Sequence, residues 1–262
     1  MLSSARATRL AGWGGQGGGT LRFHRLRVLR RLPHPGRGFT QGLIVGGDTV
    51  WESTGGYGQS VLRRYSLGAQ QPGAQAPLPP EMFGEGICRA GPYLWQLTWR
   101  ERAALRWDSG SLELVEKIGF NREGWGICAA EGTVLTSDGT SELIPRDPVT
   151  LEPRGLILVR CEGERVSDLN DLEWAGGRVW ANILGKRYLV GIDPASGEVT
   201  DIVDAKAVME RHWGDPDAVL NGVAVLPGPG ELLLTGKNWK SMYHVRLAEE
   251  RPPREPAQLV AG

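Results

Sequence analysis

The sequence has few residues of the kinds that bind metals or form disulfide frameworks. It contains only three cysteines and four histidines. None of the cysteines forms a CxxC pair or a zinc-type spacing, and an odd number of them cannot all pair with one another. The histidines are scattered along the chain. The sequence therefore predicts no histidine-rich metal site.

Charge bias and long apolar runs are also missing. Thirty basic residues balance 30 acidic ones, so no overall field favours nucleic acid or an anionic membrane as a partner. No stretch approaches the roughly 18 uninterrupted apolar residues of a membrane helix. Residues 1–20 lack the apolar centre of a secretory signal. We expect residues 1–20 to be a disordered N-terminal segment of a cytoplasmic protein.

Glycine, by contrast, is abundant and recurs with a period. The 38 glycines and 17 prolines are typical of many tight turns and not of long helices. A glycine followed by an aliphatic residue returns about every 45 residues, a spacing typical of four-stranded propeller blades. The copies are Gly42-Leu43, Gly86-Ile87, Gly126-Ile127, the degenerate Asp171-Leu172, and Gly222-Val223.

Further strands follow each copy of this pattern. Gly47–Trp51 and Gly91–Trp95 each join a turn to an apolar strand, and Asp193–Gly197 reads as a later hairpin turn. Five units of four strands predict an all-β protein, a five-bladed β-propeller with four-stranded blades. We place it over residues 21–250, with a C-terminal tail over 251–262. A pair of β-sandwiches is the alternative, but it gives no reason for five copies.

Two other segments complete the predicted fold. Leu21 to Leu32 is a strand-like run before the first repeat. We expect this N-terminal strand to form the outer edge of the last blade, which closes the ring and limits exposed strand edges. Ala205 to Arg211 is the one segment that favours a short helix.

Polar and aromatic residues mark a candidate site within the repeat. The first strand of each propeller blade lines the central channel, so equivalent positions converge there. Ordinary blades need only small and aliphatic residues at these positions. Instead, this chain has Gln41, Glu85, Trp125 and Asn170 in or beside the repeated motif, with Lys237 and Trp239 after the inner strand of the fifth unit.

Glu85 is the most informative of these residues. Its neighbours Phe83, Gly84 and Gly86 offer little hydration, so its carboxylate needs a partner, for which Lys237 is a candidate. Perturbed carboxylates tend to mark acid–base sites, although a purely structural ion pair between two blades is the alternative.

For the remaining candidates, packing inside a blade is the alternative to a role in the site. Trp99 and Trp125 form a predicted aromatic wall, but each is also a typical packing residue of a blade. Cys88 and Cys128 occupy matching positions of the repeat and are predicted to be buried core thiols.

Nine motifs occur in an order that resembles the plant and bacterial glutaminyl cyclase family (glutamine cyclotransferases). They are Phe39-Thr40-Gln41-Gly42-Leu43, Glu52-Ser53-Thr54-Gly55, Phe83-Gly84-Glu85-Gly86-Ile87, Gln96-Leu97-Thr98-Trp99, Glu123-Gly124-Trp125-Gly126, Ser137-Asp138-Gly139-Thr140, Leu169-Asn170-Asp171-Leu172-Glu173, Ala181-Asn182 and Thr235-Gly236-Lys237-Asn238-Trp239. The resemblance spans residues 39 to about 245. It implies a five-bladed propeller that needs no metal and no cofactor.

The resemblance also implies an activity and a set of site residues. The expected reaction converts an N-terminal glutamine to pyroglutamate with release of ammonia. The substrates would be peptides or proteins, the chain is expected to be a monomer, and members of the family are often exported. Glu85, Lys237 and Asn170 are the expected catalytic residues, and the expected substrate-binding residues are Gln41, Trp99, Trp125 and Leu184.

Leu184 departs from the family pattern. The family commonly reads Ala-Asn-x-Trp where this chain has Ala181-Asn182-Ile183-Leu184. We expect the smaller side chain to loosen the packing of the substrate or to change its preference.

Two other classes of function remain open from the residues alone. One is a non-catalytic propeller that binds a protein partner, in which Glu85 and Lys237 would tolerate neutral replacement. The other is a metal-dependent, lactonase-like propeller, for which Glu85, Asn170 and Asn221 would supply part of the ligand set.

Overall fold

The structure, a computed structural model, describes residues 21–36, 38–209, 216 and 218–251. The predicted disordered segment 1–20 and nearly all of the predicted tail 251–262 lie outside these residues. The regular secondary structure of the described residues is almost entirely β-strand. It begins with a long strand, β1 (Arg22–Pro33).

Two four-stranded antiparallel sheets follow, and in each sheet every strand pairs with the next strand along the chain. The first sheet contains β2 (Thr40–Gly46), β3 (Thr49–Thr54), β4 (Val61–Ser66) and β5 (Ala74–Pro77). The second contains β6 (Gly84–Ala90), β7 (Tyr93–Thr98), β8 (Ala103–Asp108) and β9 (Leu114–Gly119).

The third and fourth units repeat this order. The third sheet contains β10 (Ile127–Ala130), β11 (Thr133–Thr136), β12 (Glu142–Arg146) and β13 (Ile157–Leu158). A small hairpin, β14 (Arg160–Cys161) and β15 (Glu164–Arg165), precedes β16 (Leu169–Ala175), β17 (Arg178–Ile183), β18 (Tyr188–Ile192) and β19 (Val199–Asp204). The hairpin turn predicted at Asp193–Gly197 therefore lies between β18 and β19.

The last unit has three strands of its own. A short helix, α1 (Lys206–Met209), precedes β20 (Leu220–Val225), β21 (Glu231–Gly236) and β22 (Ser241–Glu250). The expected helix at Ala205–Arg211 thus begins as predicted, and Arg211 lies outside the described residues. No described helix has the length and apolar character needed to cross a membrane.

β1 supplies the fourth strand of this last unit. It pairs antiparallel with β22 from Phe23 to Pro33, as expected from the sequence. Its first residues, Arg22 to Arg25, also pair in parallel with β19. The strand is therefore not an outer edge, as the sequence suggested, but lies inside an eight-stranded sheet that joins the last two units.

The apolar core of the described residues is divided into clusters that each lie between two sheets, because both faces of most sheets carry apolar side chains. Each cluster has members from two sheets, for example Leu62 and Leu94 (first and second sheets), Leu97 and Val134 (second and third), Leu143 and Leu172 (third and fourth), Leu189 and Leu232 (fourth and last), and Leu43 and Leu233 (first and last). The last unit thus packs against the first as well as the fourth.

Candidate active site

The polar residues of the repeat lie at irregularities in the sheets. In four units the pairing of the first two strands shifts register just where the first strand begins. The residues at these shifts include Gln41, Glu85, Asn170 and Asn221. An irregularity of this kind interrupts the ladder and re-aims a side chain. In the third sheet Trp125 precedes β10, and its N–H donates to the Ser137 carbonyl at 3.1 Å.

The repeated glycines let these irregular positions approach one another. A Cβ atom at Gly42 would lie 2.6 Å from the Ile87 nitrogen, and one at Gly86 would lie 2.6 Å from the Trp125 carbonyl oxygen. One at Gly126 would collide with the Asn170 carbonyl. Glycine is therefore required because neighbouring first strands come into backbone contact.

A chain of buried hydrogen bonds connects three of the irregular positions. The Asn221 amide Nδ2 donates to Gln41 Oε1 at 2.8 Å. Gln41 Nε2 in turn donates to Glu85 Oε1 at 3.2 Å. All three side chains are buried. Because Asn221 occupies the Gln41 carbonyl oxygen, the NH₂ group of Gln41 is turned towards Glu85.

Glu85 and Lys237 have opposite charges in this buried environment. Burial raises the pKa of Glu85 well above its ordinary range, and the Lys237 cation opposes part of that rise. The charges of Glu101, Asp171 and Glu123 raise it further. Burial also lowers the pKa of Lys237, against the effect of Glu85. The site therefore contains a carboxyl group whose raised pKa favours proton exchange and a lysine whose ammonium group is partly removed from water by burial.

Aromatic rings form a wall beside these groups. The Lys237 Nζ atom lies 4.7 Å from the ring centroid of Phe39. The Phe83 ring makes edge-to-face contacts with Phe39, with Tyr57 and with Trp99, at centroid distances of 6.1, 5.4 and 5.5 Å. Phe83 stands two residues before Glu85, so this apolar wall lies at the start of the strand that carries the carboxyl group.

Trp99, a residue of the predicted aromatic wall, is held in place by two charged side chains. Its indole N–H donates to Glu123 Oε2 at 2.9 Å, and the Arg100 guanidinium lies 3.9 Å from its ring centroid. Only the remaining surface of the ring is thus open to a ligand.

Trp125 and Asn170 each have a polar atom available. The Trp125 ring packs against the Gly139 backbone, where a Cβ atom would lie 2.7 Å from it. The Trp125 Nε1 and Asn170 Oδ1 atoms are buried without a hydrogen-bond partner in the described part of the chain. Buried polar atoms are rarely left unpaired, so such atoms at a site indicate a position for a ligand.

The other predicted residues have simpler surroundings. Leu184 is half-buried just after β17, and its N–H donates to the Asp168 carbonyl at 2.8 Å. Cys88 and Cys128 are buried thiols, as expected, and burial raises the pKa of each. Within the described residues no three His, Cys, Asp or Glu side chains are grouped as metal ligands would be.

Sequence reasoning did not assign the roles that three residues have in the site. Asn221, considered from the sequence only as a metal ligand, orients Gln41, and Phe39 and Phe83 form the wall. Asn221 occupies the same position of the repeat as Gln41 and Glu85, so the repeat itself was the signal for its place in the site. Phe39 and Phe83 stand two residues before Gln41 and Glu85.

A buried carboxyl group with a raised pKa, an amide directed at it and a nearby lysine are typical of acid–base catalysis. The fold and the site therefore define an all-β enzyme of this class.

Comparison with known proteins identifies the family. The sequence model described as Glutamine cyclotransferase matches residues 6–247. The glutaminyl-peptide cyclotransferase of Arabidopsis thaliana is 31% identical over 248 residues, which are 90% of this chain and 77% of the relative. The crystal structure of Myxococcus xanthus glutaminyl cyclase is 34% identical with a TM-score of 0.82, covering 88% of this chain and 100% of the other. The chain belongs to the glutamine cyclotransferase family.

Proposed function

We propose that this protein converts the N-terminal glutamine of peptides or proteins to pyroglutamate and releases ammonia. The observation that carries the proposal is the buried Glu85 carboxyl group, which accepts a hydrogen bond from Gln41 and interacts with the charge of Lys237. The family relationship supplies the reaction, and the site contains the groups that this reaction needs.

The proposal includes a five-bladed propeller as the scaffold. Five copies of the repeat, a β1 strand that completes the last unit, and apolar clusters between each sheet and the next support it. In this arrangement the irregular first-strand positions surround one end of a central channel. The substrate would enter there, with its glutamine side chain inside and the rest of its chain outside.

The reaction is an intramolecular aminolysis. The substrate α-amine attacks its own γ-carboxamide carbon, a carbon–nitrogen bond forms, and the carboxamide nitrogen leaves as ammonia. An α-amino group has a pKa of about 7.7–8.0, so part of it is already neutral near pH 7. The enzyme must hold the curled conformation, stabilise charge on the amide oxygen and supply a proton to the leaving nitrogen.

Glu85 is assigned the proton transfer. As a carboxylate it accepts the proton that the amine loses on attack, and as an acid it returns this proton to the departing nitrogen. Its raised pKa suits both steps, because the carboxylate is a stronger base towards the amine and the acid form stays populated to higher pH, where it can protonate the departing nitrogen. Gln41 holds the carboxyl group in place through its NH₂ group.

Lys237 and Asn170 are assigned to the developing charge. The Lys237 cation stabilises the oxyanion that forms on the substrate amide, in a site where water is excluded. Asn170 lies at the start of β16, and its unpaired amide oxygen is available to accept a hydrogen bond from the substrate NH₂ group. The scheme uses no metal ion and no cofactor.

Trp99, Trp125 and Leu184 are assigned to substrate binding. The two indole rings enclose the glutamine methylene groups, and Trp125 Nε1 is available to donate to a substrate carbonyl. Leu184 offers a smaller apolar surface than the tryptophan common in the family.

The test is incubation of the purified protein with a peptide that begins with glutamine. We expect mass spectrometry to show loss of one ammonia from the peptide, with ammonia appearing in equal amount. A matched peptide that begins with asparagine is the control, because its shorter side chain places the carboxamide one carbon closer. Equal rates with and without enzyme would contradict the proposal.

A further inference from the structure

A buried ion pair lies beneath the proposed site, outside the groups assigned to the reaction. His34 follows β1 and Glu52 lies on β3, and both side chains are fully buried. His34 Nε2 lies 2.8 Å from Glu52 Oε1. His34 Nδ1 lies 2.9 Å from the Trp239 carbonyl oxygen. Both nitrogens of one imidazole therefore face oxygen atoms that have no proton to give.

The partners of Glu52 show which group carries the charge. Its Oε1 also accepts from the Thr40 hydroxyl at 2.8 Å, and its Oε2 accepts from the Tyr65 hydroxyl at 2.9 Å. Arg63 lies 3.9 Å away. Burial opposes ionisation, but the charge of His34 and its hydrogen bond outweigh it and hold the pKa of Glu52 below its ordinary value. Glu52 is therefore a carboxylate surrounded by donors.

His34 has a third neighbour on β21. The Thr235 hydroxyl lies 3.3 Å from His34 Nδ1 and donates to the Ser241 carbonyl at 3.2 Å. The imidazole is therefore held by contacts to β3, to β21 and to the turn before β22.

The ion pair is connected to both neighbours of Glu85. On one side, Glu52 holds Thr40, whose carbonyl accepts from the same Asn221 amide that orients Gln41. On the other side, His34 holds the carbonyl of Trp239, two residues after Lys237.

The backbone of the turn that carries Lys237 is fixed at the same place. The N–H of Asn238, a residue with a positive φ of 61°, donates to the Gly38 carbonyl at 2.8 Å. Loss of the His34 side chain would remove the adjacent contact to the Trp239 carbonyl and loosen this turn.

We propose that the His34–Glu52 pair is a positioning device that holds Lys237 and Gln41 at Glu85. Among the described residues, the titratable groups that face this pair are Tyr65 and Arg63. Burial raises the pKa of Tyr65 well above its ordinary value, so this residue stays a neutral donor to Glu52. The kinetic part of the proposal rests on the proposed function, whereas the hold of His34 on the turn at Lys237 does not.

The first test reads the turn at Lys237 directly by amide hydrogen exchange. We expect the Asn238 N–H, which donates to the Gly38 carbonyl, to exchange with solvent faster in His34→Gln than in the wild-type protein. An unchanged exchange rate would overturn the proposal, whatever the protein catalyses.

The second test compares His34→Gln with His244→Gln. His244 forms a similar pair with Glu231, 2.6 Å away, on the neighbouring strands β21 and β22, but it contacts none of the site residues. We expect kcat to fall roughly 10- to 100-fold in His34→Gln with a smaller change in KM, because a displacement of about 1 Å in a site has an effect of this size. His244→Gln should keep the wild-type kcat.

Urea titrations of the two variants separate positioning from general destabilisation, because each variant removes one His–Glu pair. Equal kcat in the two variants, measured where both are folded, would overturn the proposal. Absence of any cyclisation by the wild-type protein would instead contradict the proposed function.

Discussion

Gln41 Nε2 lies 3.2 Å from Glu85 Oε1, although the two residues are on different sheets. The contact exists because both first strands are irregular at these positions and because Gly42 and Gly86 allow close backbone approach. An amide NH₂ group can donate to a carboxylate and, more weakly, to the carbonyl oxygen of a carboxylic acid. Gln41 therefore holds Glu85 in place through a full cycle of proton transfer.

The first prediction concerns the proton transfer itself. Glu85→Gln keeps the shape of the side chain but removes its ability to accept a proton. We expect kcat for a Gln-initiated peptide to fall by about 100-fold or more. Glu101→Gln is the matched control, since Glu101 is a nearby carboxylate that bonds to Tyr57 and to the Phe83 N–H. Its kcat should stay within tenfold of wild type, and comparable losses in both variants would contradict the role of Glu85.

The repeat made much of the fold and part of the site predictable. The first strands of neighbouring units come into backbone contact at positions such as Gly86, where only glycine fits. Because this contact recurs from one unit to the next, glycine recurs with it in the sequence. Positions equivalent to Glu85 are then equivalent in space, and a polar residue there is conspicuous. This is why Gln41, Glu85 and Asn170 were identified as candidates from the sequence.

The remaining contacts join segments that no local pattern connects. β1 pairs with β19, 179 residues away at the Arg22–Asp201 contact, and the alternation of residues in β1 does not indicate a second partner. The bond between Trp99 and Glu123 likewise depends on how two loops meet. The direction of the Asn221 side chain follows from an irregular register, which a two-residue alternation does not show.

The second prediction concerns the pH dependence of activity. The active form requires ionised Glu85, whose pKa lies well above its ordinary value, so kcat should rise with pH through this elevated value. Lys237 favours the ionised form. Lys237→Met should therefore move the acidic limb of the kcat profile to higher pH, in addition to lowering kcat. A limb that stays in place or moves to lower pH would contradict the interaction between these two charges.

The third prediction concerns stability. Because the pKa of Glu85 is raised on folding, protonated Glu85 is favourable in the folded state, and this stabilisation is lost as pH rises from the unfolded pKa through the folded pKa. Glu85→Gln has no such dependence. The free energy of unfolding of the variant, relative to wild type, should increase from pH about 4 to pH about 8 in urea titrations. A difference that is constant with pH would show that Glu85 is not perturbed.

The fourth prediction tests the position of the Trp125 ring. Gly139 has a φ of 81°, and a Cβ atom there would lie 2.7 Å from the ring. Gly139→Ala should raise KM for a Gln-initiated peptide, because the ring must move. Gly132→Ala is the matched control: its φ is 70°, but a Cβ atom there meets nothing within 4 Å. Both variants carry a similar backbone strain of roughly 1 kcal/mol, so a change in KM confined to Gly139→Ala would locate the ring at the substrate.

The fifth prediction concerns the attachment of β1. Asp201 on β19 accepts from Arg22 at 2.8 Å and lies 2.7 Å from His24, both on β1, while Arg178 lies 3.0 Å away. Burial opposes the charge of Asp201, but the bonds from His24 and Arg22 outweigh it and lower its pKa to about 2. Because folding lowers this pKa, ionised Asp201 stabilises the folded protein at pH values above its unfolded pKa of 3.8. This stabilisation is lost as the pH falls towards 2.

Asp201→Asn should therefore lower the free energy of unfolding by about 3 kcal/mol at neutral pH, because it leaves Arg22 and Arg178 without their carboxylate. The effect should shrink as the pH falls below about 4. Glu116→Gln, which removes the more exposed pair with Arg106, is the control and should cost less than about 1 kcal/mol. Because β1 closes the last unit, we expect kcat to change little while the protein remains folded. If the two variants were equally stable in urea titrations, the Asp201 cluster would not be what holds β1 against β19.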